Sequence, residues 1–429
     1  MIKMQSGVDL ETIISLEASA IKFGEGATAE LGYEVKRRGC RNVVLITDKR
    51  IAKLLPVEQS IESLTRESIK VTLYNNAEVE PTDKSFMAAA EFARSGSFDG
   101  FVAVGGGSVI DTAKAANLYS TYPAEFLTYV NKPVGKGAPV PGMCKPLFAI
   151  PTTAGTGSET TGVAIFDFLE MSTKTGISSR ELRPVLGIVD PNHTKTLPPM
   201  VAAASGFDVL SHALESYTAL PFDKRVSPSS PAERPSYQGS NPVSDVWALK
   251  AIEMVAKNMY TAVTNPQNDF ARSQMMLAAT IAGIGFGNAG CHLPHGMSYP
   301  VSGMVRNYSP KGYENNAIVP HGMAVILNAP AVFRFTADSN LDRHERAANI
   351  MGEVVKNKED AGEALAKAII KLMKRLDMPN GLSAVGYSEK DVPLFVKNTL
   401  PQQRVLGLSP KPVGEKELEL LFSESLRLW

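Results

Sequence analysis

Asp208 and His212 stand four residues apart in Gly206–Tyr217 (GFDVLSHALESY), so a helix there projects a carboxylate and an imidazole from one face. One such pair is common on helix surfaces. Two later His-Gly-Met steps, His295-Gly296-Met297 and His321-Gly322-Met323, change its meaning. Three neutral imidazoles and one carboxylate form a donor set for a divalent first-row metal, and Fe²⁺ and Zn²⁺ both fit it. His292 lies close enough to His295 in sequence to take its place as donor. The remaining histidines, His193 and His344, belong to no pattern and are expected to be structural or exposed. Such a metal would act on an oxygen of the substrate as a Lewis acid.

A second group of residues suits a dinucleotide. The apolar strand Phe101–Val104 runs into Gly105-Gly106-Gly107-Ser108 and then into a helix beginning near Val109. Glycines at a strand-to-helix turn let backbone N–H groups approach a pyrophosphate at the positive end of the helix. Asp48 follows the strand Asn42–Thr47, at the carboxyl edge where open α/β sheets bind ligands. A carboxylate there accepts ribose hydroxyls and repels a 2′-phosphate, favouring NAD over NADP; the alternative is a cap for the next helix. Gly24-Glu25-Gly26-Ala27-Thr28-Ala29 also matches G-x-G-x-x-A, with Asp48 at the expected distance. The preceding Ala20–Phe23 is short and carries Lys22, so this second match reads as a close-packed turn. The hydroxyl-rich run Pro151–Glu159 (PTTAGTGSE) either lines a nucleotide site with neutral donors or forms a turn. Gly283, Gly285, Gly287 and Gly290 follow no strand and read as backbone freedom beside the histidines.

These groups need two kinds of scaffold. Between about Ala20 and Asp190, Asn42–Thr47, Lys70–Tyr74, Gly100–Val104 and Leu147–Ile150 read as strands, with helical patterns at Val57–Arg66, Lys84–Arg94 and Val109–Leu118. That succession predicts a parallel sheet covered by helices. After about Thr196 the pattern turns helical, with helices expected over Val201–Tyr217, Val246–Tyr260, Asp269–Ile284, Val325–Phe333, Asp342–Val355 and Asp360–Leu376. The expected division is an α/β NAD-binding domain over residues 1–195 and an all-α metal and substrate domain over 196–429. Pro221–Pro242, with five prolines, reads as a long ordered loop on the helical domain.

The 429 residues carry 44 basic and 44 acidic side chains and 44% apolar residues, which sets aside a mainly disordered chain and gives no electrostatic pull toward nucleic acid or an anionic membrane. No apolar run is long enough to cross a bilayer, and Met1–Leu10 has neither a signal-peptide core nor the arginines of a transit peptide. Cys40, Cys144 and Cys291 are an odd number without metal spacing, which suits a reducing compartment. The expectation drawn from these features is a cytoplasmic protein.

With these residues in view, the chain resembles the iron-containing, group III alcohol dehydrogenases, and among them the hydroxyacid-oxoacid transhydrogenases. The likeness runs from about Ile21 to the C-terminus. It rests on PTTAGTGSETTGVAIFD (Pro151–Asp167), GFDVLSHALESY, YQGSNPVSD (Tyr237–Asp245) and GIGFGNAGCHLPHGMSYPVSG (Gly283–Gly303). The resemblance implies a dehydroquinate synthase-like arrangement of a dinucleotide-binding α/β domain and a helical domain. It implies metal ligands at Asp208, His212, His295 and His321, and so selects His295 over His292. It places the pyrophosphate turn at Gly105, Gly106, Gly107 and Ser108, the adenosine-side acid at Asp48, nucleotide-lining hydroxyls at Thr152 and Thr153, and a ribose-side lysine at Lys174.

The implied cofactors are NAD and a divalent metal, Fe²⁺ first and Zn²⁺ second. The implied partners are a small alcohol or hydroxy acid and an aldehyde or oxo acid, in a homo-oligomer without nucleic acid or membrane. Three features depart from short-chain members of the family. Tyr299 stands where they carry a histidine four places after the first His-Gly ligand, which puts that residue's proton-relay role in doubt. The stretch Met304–Val319 lengthens the interval between the two His-Gly steps, and the chain lacks the presequence of the eukaryotic transhydrogenases, which points to a prokaryotic enzyme. Carboxylate-bearing substrates call for a cation, with Arg234 and Arg306 as candidates.

Overall fold

The structure is a computed structural model that describes residues 9–171, 173–313 and 317–429; part of Met1–Leu10 and of the Met304–Val319 stretch lies outside the described residues. The chain forms two compact units. One is Ala18–Leu197 with Asn265–Gly283; the other, among the described residues, is 9–17, Pro198–Thr264 and Ile284–Trp429. The expected division at residue 195 therefore differs in two segments. The stretch before Glu17 joins the helical unit because Glu11 N–H donates to Arg225 O at 2.8 Å and Ser15 N–H to Gln238 Oε1 at 2.8 Å. Asn265–Gly283 joins the α/β unit, where Thr280 Oγ1 donates to Glu159 Oε1 at 2.9 Å and Arg272 Nη1 to Thr194 O at 2.7 Å.

In the α/β unit, strands β1 (Ala20–Phe23), β2 (Asn42–Ile46), β3 (Lys70–Tyr74), β4 (Gly100–Gly105), β5 (Leu147–Pro151) and β8 (Leu186–Val189) form one parallel sheet in the order β1-β8-β5-β4-β2-β3. Strands β6 (Val163–Phe168) and β7 (Thr173–Ser178) form a separate antiparallel hairpin. Helices α1 (Leu31–Arg37), α2 (Leu55–Arg66), α3 (Asp83–Ser95) and α4 (Gly107–Thr121) connect the early strands. Val44, Ile46, Phe101 and Ala103 face one core, shared with Ala89 of α3 and Ile110 of α4. Val43, Leu45, Val102 and Val104 face the other, with Leu31 of α1 and Leu64 of α2. Burial on both faces explains why β2 and β4 read as unbroken apolar runs rather than as alternating ones.

Two readings of this region are corrected. Ala20–Phe23 is a genuine strand, paired in parallel with β8 from Ala20↔Leu186 to Phe23↔Val189. Lys22 is tolerated because β1 is an edge strand; its ammonium pairs with Glu34 at 2.8 Å. The turn after it is not close-packed, since a Cβ on Gly24 or Gly26 would meet no atom within 4 Å. It does, however, sit at the sheet's edge, away from the point where the strand order reverses.

The helical unit contains α5 (Pro199–Thr218), α6 (Pro242–Thr264), the end of α7 (Asp269–Ala289), α8 (Leu293–Gly303), α9 (His321–Ile326) and α10 (Ala329–Thr336), followed by α11 (Leu341–Ile350), α12 (Ala361–Arg375), α13 (Val392–Thr399), α14 (Gln403–Leu406) and α15 (Glu415–Ser425). The single helix expected over Val325–Phe333 is two helices. Pro330 lacks the N–H an interior position needs and sits instead in the first turn of α10. The helix expected over Asp342–Val355 stops at Ile350, just before Gly352 with φ 93°. Among the described residues no single helix is long and apolar enough to cross a membrane.

Candidate functional site

Helix α5 presents Asp208, His212 and Glu215 on successive turns, all buried. Helix α8 brings His295, and α9 opens with His321. The Nε2 atoms of His295, His321 and His212 lie 3.6, 3.7 and 3.8 Å from one atom, Asp208 Oδ1. Those separations are too long for hydrogen bonds. They are close to the spacing of two donors that share one cation, since ligands about 2.0–2.2 Å from a tetrahedral centre stand roughly 3.3–3.6 Å apart. Among the described residues Asp208 Oδ1 and His295 Nε2 are buried without a hydrogen-bond partner. A buried carboxylate oxygen and imidazole nitrogen left so are costly unless something binds them, and a divalent cation fits both.

The protonation states agree with that fit. Burial opposes ionisation of Asp208, but His212, His321 and His295 outweigh it and hold the carboxyl well below its ordinary range. Burial pushes the His212 imidazole down to about 3, leaving it neutral with a lone pair to give. For His295 burial is outweighed by Cys291, Glu215 and Asp208, which raise it well above the usual imidazole value, so a cation must displace a proton there.

Glycine makes the convergence possible. A Cβ on Gly322 would sit 2.1 Å from Ala204 O and 2.7 Å from Asp208 Cβ, so only glycine after His321 lets α9 approach α5 closely enough. The His212 ring stacks on Phe286 at 3.9 Å with planes 5° apart, which fixes its orientation.

Glu215 is absent from the set read in the sequence. Its Oε1 lies 2.6 Å from His295 Nδ1, and its Oε2 accepts from the backbone N–H of His292 at 2.8 Å. A carboxylate behind a ligand histidine fixes the tautomer that leaves Nε2 free for a metal. The signal was present: Glu215 follows His212 by three residues and Asp208 by seven, on the same helical face. The structure also separates His292 from the cluster. Its Nε2 lies 3.0 Å from Thr218 Oγ1, and it packs edge-on to Phe333. His193 and His344 are buried against Thr28 and Thr336 at 3.1 Å each, which makes both structural.

The residues expected to bind the cofactor all lie in the α/β unit. The order β5-β4-β2-β3 reverses direction between β4 and β2, the position where such sheets bind ligands beyond their carboxyl ends. There β2 leads to Asp48, β4 leads to Gly105-Gly106-Gly107-Ser108, and β5 leads to Thr152 and Thr153. A Cβ on Gly107 would lie 2.6 Å from Thr156 Cγ2, so the turn needs glycine for space. Asp48 Oδ1 accepts from the N–H groups of Arg50 and Ile51 at 2.8 Å each, the capping role, which leaves Oδ2 for a ligand. Lys174 is buried and pairs with Glu80 and, at 2.8 Å, with Asp167. Glu80 N–H in turn donates to Ser108 Oγ at 3.4 Å, so the lysine is tied to the Gly105–Ser108 turn.

Much of the hydroxyl-rich loop holds itself in place. Lys114 Nζ, fully buried, donates to Ser158 Oγ at 2.6 Å and to Val163 O at 2.7 Å, and pairs with Asp111 at 3.3 Å. The arginines proposed for a carboxylate are already engaged. Arg234 pairs with Glu11 at 3.1 Å, and Arg306 pairs with Asp391, so neither is available as expected.

Residues 18–191 match the sequence family described as iron-containing alcohol dehydrogenase, and residues 233–426 match its C-terminal counterpart. The chain is 52% identical to the human hydroxyacid-oxoacid transhydrogenase, mitochondrial, over 99% of this chain and 92% of that one. It is also 52% identical to the probable hydroxyacid-oxoacid transhydrogenase, mitochondrial, of Dictyostelium discoideum, covering 97% and 80%. Among solved structures, a 1,3-propanediol oxidoreductase aligns with TM-score 0.85 and 26% identity over 96% of this chain and 100% of that one. An alcohol dehydrogenase from Oenococcus oeni aligns with TM-score 0.84 and 25% identity over 96% and 100%. The mitochondrial relatives overturn the expectation of a cytoplasmic protein: charge and hydropathy near residue 1 and three unpaired cysteines do not decide a compartment. On the matched residues and the shared architecture, the chain belongs to the iron-containing alcohol dehydrogenase family.

Proposed function

We propose that the protein is a hydroxyacid-oxoacid transhydrogenase that holds Fe²⁺ on Asp208, His212, His295 and His321 and NAD against Gly105–Ser108, Asp48, Thr152, Thr153 and the Lys174 side of the phosphate turn. The observation that carries this reading is the gathering of three imidazole Nε2 atoms within 3.6–3.8 Å of Asp208 Oδ1. When bound, the ion supplies Lewis-acid polarisation of a substrate oxygen and NAD a store for one hydride.

The chain's own residues do the rest. Asp208 stays anionic in a buried site and offsets part of a cation's charge. Glu215 holds the His295 Nδ1 proton and so keeps Nε2 as a donor. Burial of Asp208, His212 and His295 keeps water from their side of the centre and strengthens each charge interaction among them. Over the two half-reactions 4-hydroxybutyrate loses two hydrogens to become succinic semialdehyde, and 2-oxoglutarate gains two to become 2-hydroxyglutarate. The proton released in the first half is taken up in the second, so 2-oxoglutarate is the only oxidant consumed and NAD is regenerated.

Anaerobic reconstitution with Fe²⁺ or Zn²⁺, followed by assay with 4-hydroxybutyrate and NAD with and without 2-oxoglutarate, tests this reading. The expected result is turnover that depends on 2-oxoglutarate, with little free NADH. The likeness to a 1,3-propanediol oxidoreductase favours a second reading, an alcohol dehydrogenase that releases its cofactor each cycle. Rapid NADH accumulation without an acceptor selects that one.

A further inference from the structure

A hydroxy acid or oxo acid carries a carboxylate that a plain alcohol lacks, and its recognition calls for a cation with an open face. Arg234, Arg306, Arg334 and Arg343 each spend their charge on a carboxylate of this chain. Arg404 does not. Among the described residues it makes no ion pair: its guanidinium meets two tyrosine side chains, Tyr237 and, from Nη2 to Oη at 3.1 Å, Tyr299, and its Nη1 is buried without a partner. An unmatched guanidinium N–H away from water is expensive in an arginine that nothing else occupies.

Its surroundings tie it to the metal donors on two sides. Arg404 lies on α14, which packs on α8 where Gly296 faces Val405 and Leu406. Its hydrogen-bond partner Tyr299 stands one turn after His295 on α8, so the two share a face. The guanidinium also lies over the Tyr237 ring, 4.8 Å from the centroid. Tyr237 meets Phe286 edge-on at 6.4 Å, and Phe286 is the ring that stacks on His212. Arg404 is thus one residue removed from His295 by one route and two from His212 by the other.

We propose that Arg404 receives the carboxylate of the substrate, with Tyr299 as its partner, and so selects hydroxy acids and oxo acids over uncharged alcohols; the proposal deepens the transhydrogenase reading and rests on it. The Tyr237 face and the Tyr299 hydroxyl hold the guanidinium plane and leave its Nη1 edge for a carboxylate oxygen. Because Tyr299 Oη accepts from Arg404, its own proton remains to donate to the second oxygen.

The test compares Arg404→Met and Arg404→Lys with the unaltered enzyme, all loaded with metal and NAD. KM and kcat are measured for 4-hydroxybutyrate and for 1-butanol, and the affinity for 2-oxoglutarate is measured by calorimetry. Arg404→Met is expected to raise KM for the acid about 100-fold, and Arg404→Lys about tenfold, with the preference for acid over alcohol falling in step. Arg404→Lys keeps a cation over Tyr237, so it carries the test if the methionine variant does not fold. An unchanged acid-to-alcohol ratio, or unchanged 2-oxoglutarate affinity in both variants, would overturn the proposal and leave Arg404 a packing residue. If the unaltered enzyme releases NADH freely yet loses its acid preference on these substitutions, the transhydrogenase reading fails while the role of Arg404 stands.

Discussion

The buried lysines of the α/β unit and the Asp208 cluster of the helical unit handle buried charge in opposite ways. In the α/β unit the two buried lysines have answering groups: Lys114 has Asp111, Ser158 and Val163 O, and Lys174 has Glu80 and Asp167. In the helical unit the buried Asp208 faces three imidazoles at distances none of them bridges. Satisfied charges rigidify a loop that must hold its shape around a ligand. Unsatisfied ones wait for a ligand to complete them.

Four substitutions would break or sharpen that contrast. The largest effect is expected from Asp208→Ala, which removes the only anionic donor of the cluster: metal content falls to background and turnover drops by about 10³-fold or more, while circular dichroism and NAD affinity change little. Retention of metal, measured by elemental analysis, would break the assignment.

Lys114→Met tests the satisfied side. It leaves Asp111 without its counter-charge in a buried network, and an equilibrium denaturation curve should show about 3 kcal/mol of lost stability. A neutral result would mean that the hydroxyls alone hold the loop. Next in size, Glu215→Ala should weaken metal binding by about 10–100-fold in a chelator competition, with Glu215→Gln losing less because it still accepts the His295 proton. The smallest effect is that of Gly107→Ala, whose added methyl meets Thr156 and displaces the turn. NAD affinity should fall roughly tenfold with metal stoichiometry unchanged, which separates the two sites.

Legibility divided along the same line. The strand, glycine turn and helix around Gly105–Ser108 could be read directly because their parts are contiguous: an apolar strand, three glycines, a serine and a helix start. The edge strand β1 was discounted for Lys22, a residue that an edge tolerates and a central strand would not. The candidate metal donors were legible as types and spacings, and choosing His295 over His292 required the family resemblance. In the fold the choice follows from partners, since Thr218 takes His292 and Glu215 orients His295. Arg234 and Arg306 were drawn from the right residue type, but their local acids lie far off in sequence at Glu11 and Asp391.

What the chain's own order determined, then, was whatever depends on neighbours a few residues apart: strand and helix periods, the glycine turn, and the shared face of Asp208, His212 and Glu215. Only the tertiary structure decided which distant side chains meet, and therefore which charges are paired. His321 reaches Asp208 because α9 packs on α5 over Gly322, and Arg404 reaches Tyr299 because α14 packs on α8. The physical reason is that packing, unlike periodicity, is set by the shape of the whole buried surface, and one small residue at a crossing can determine whether two charges come within reach.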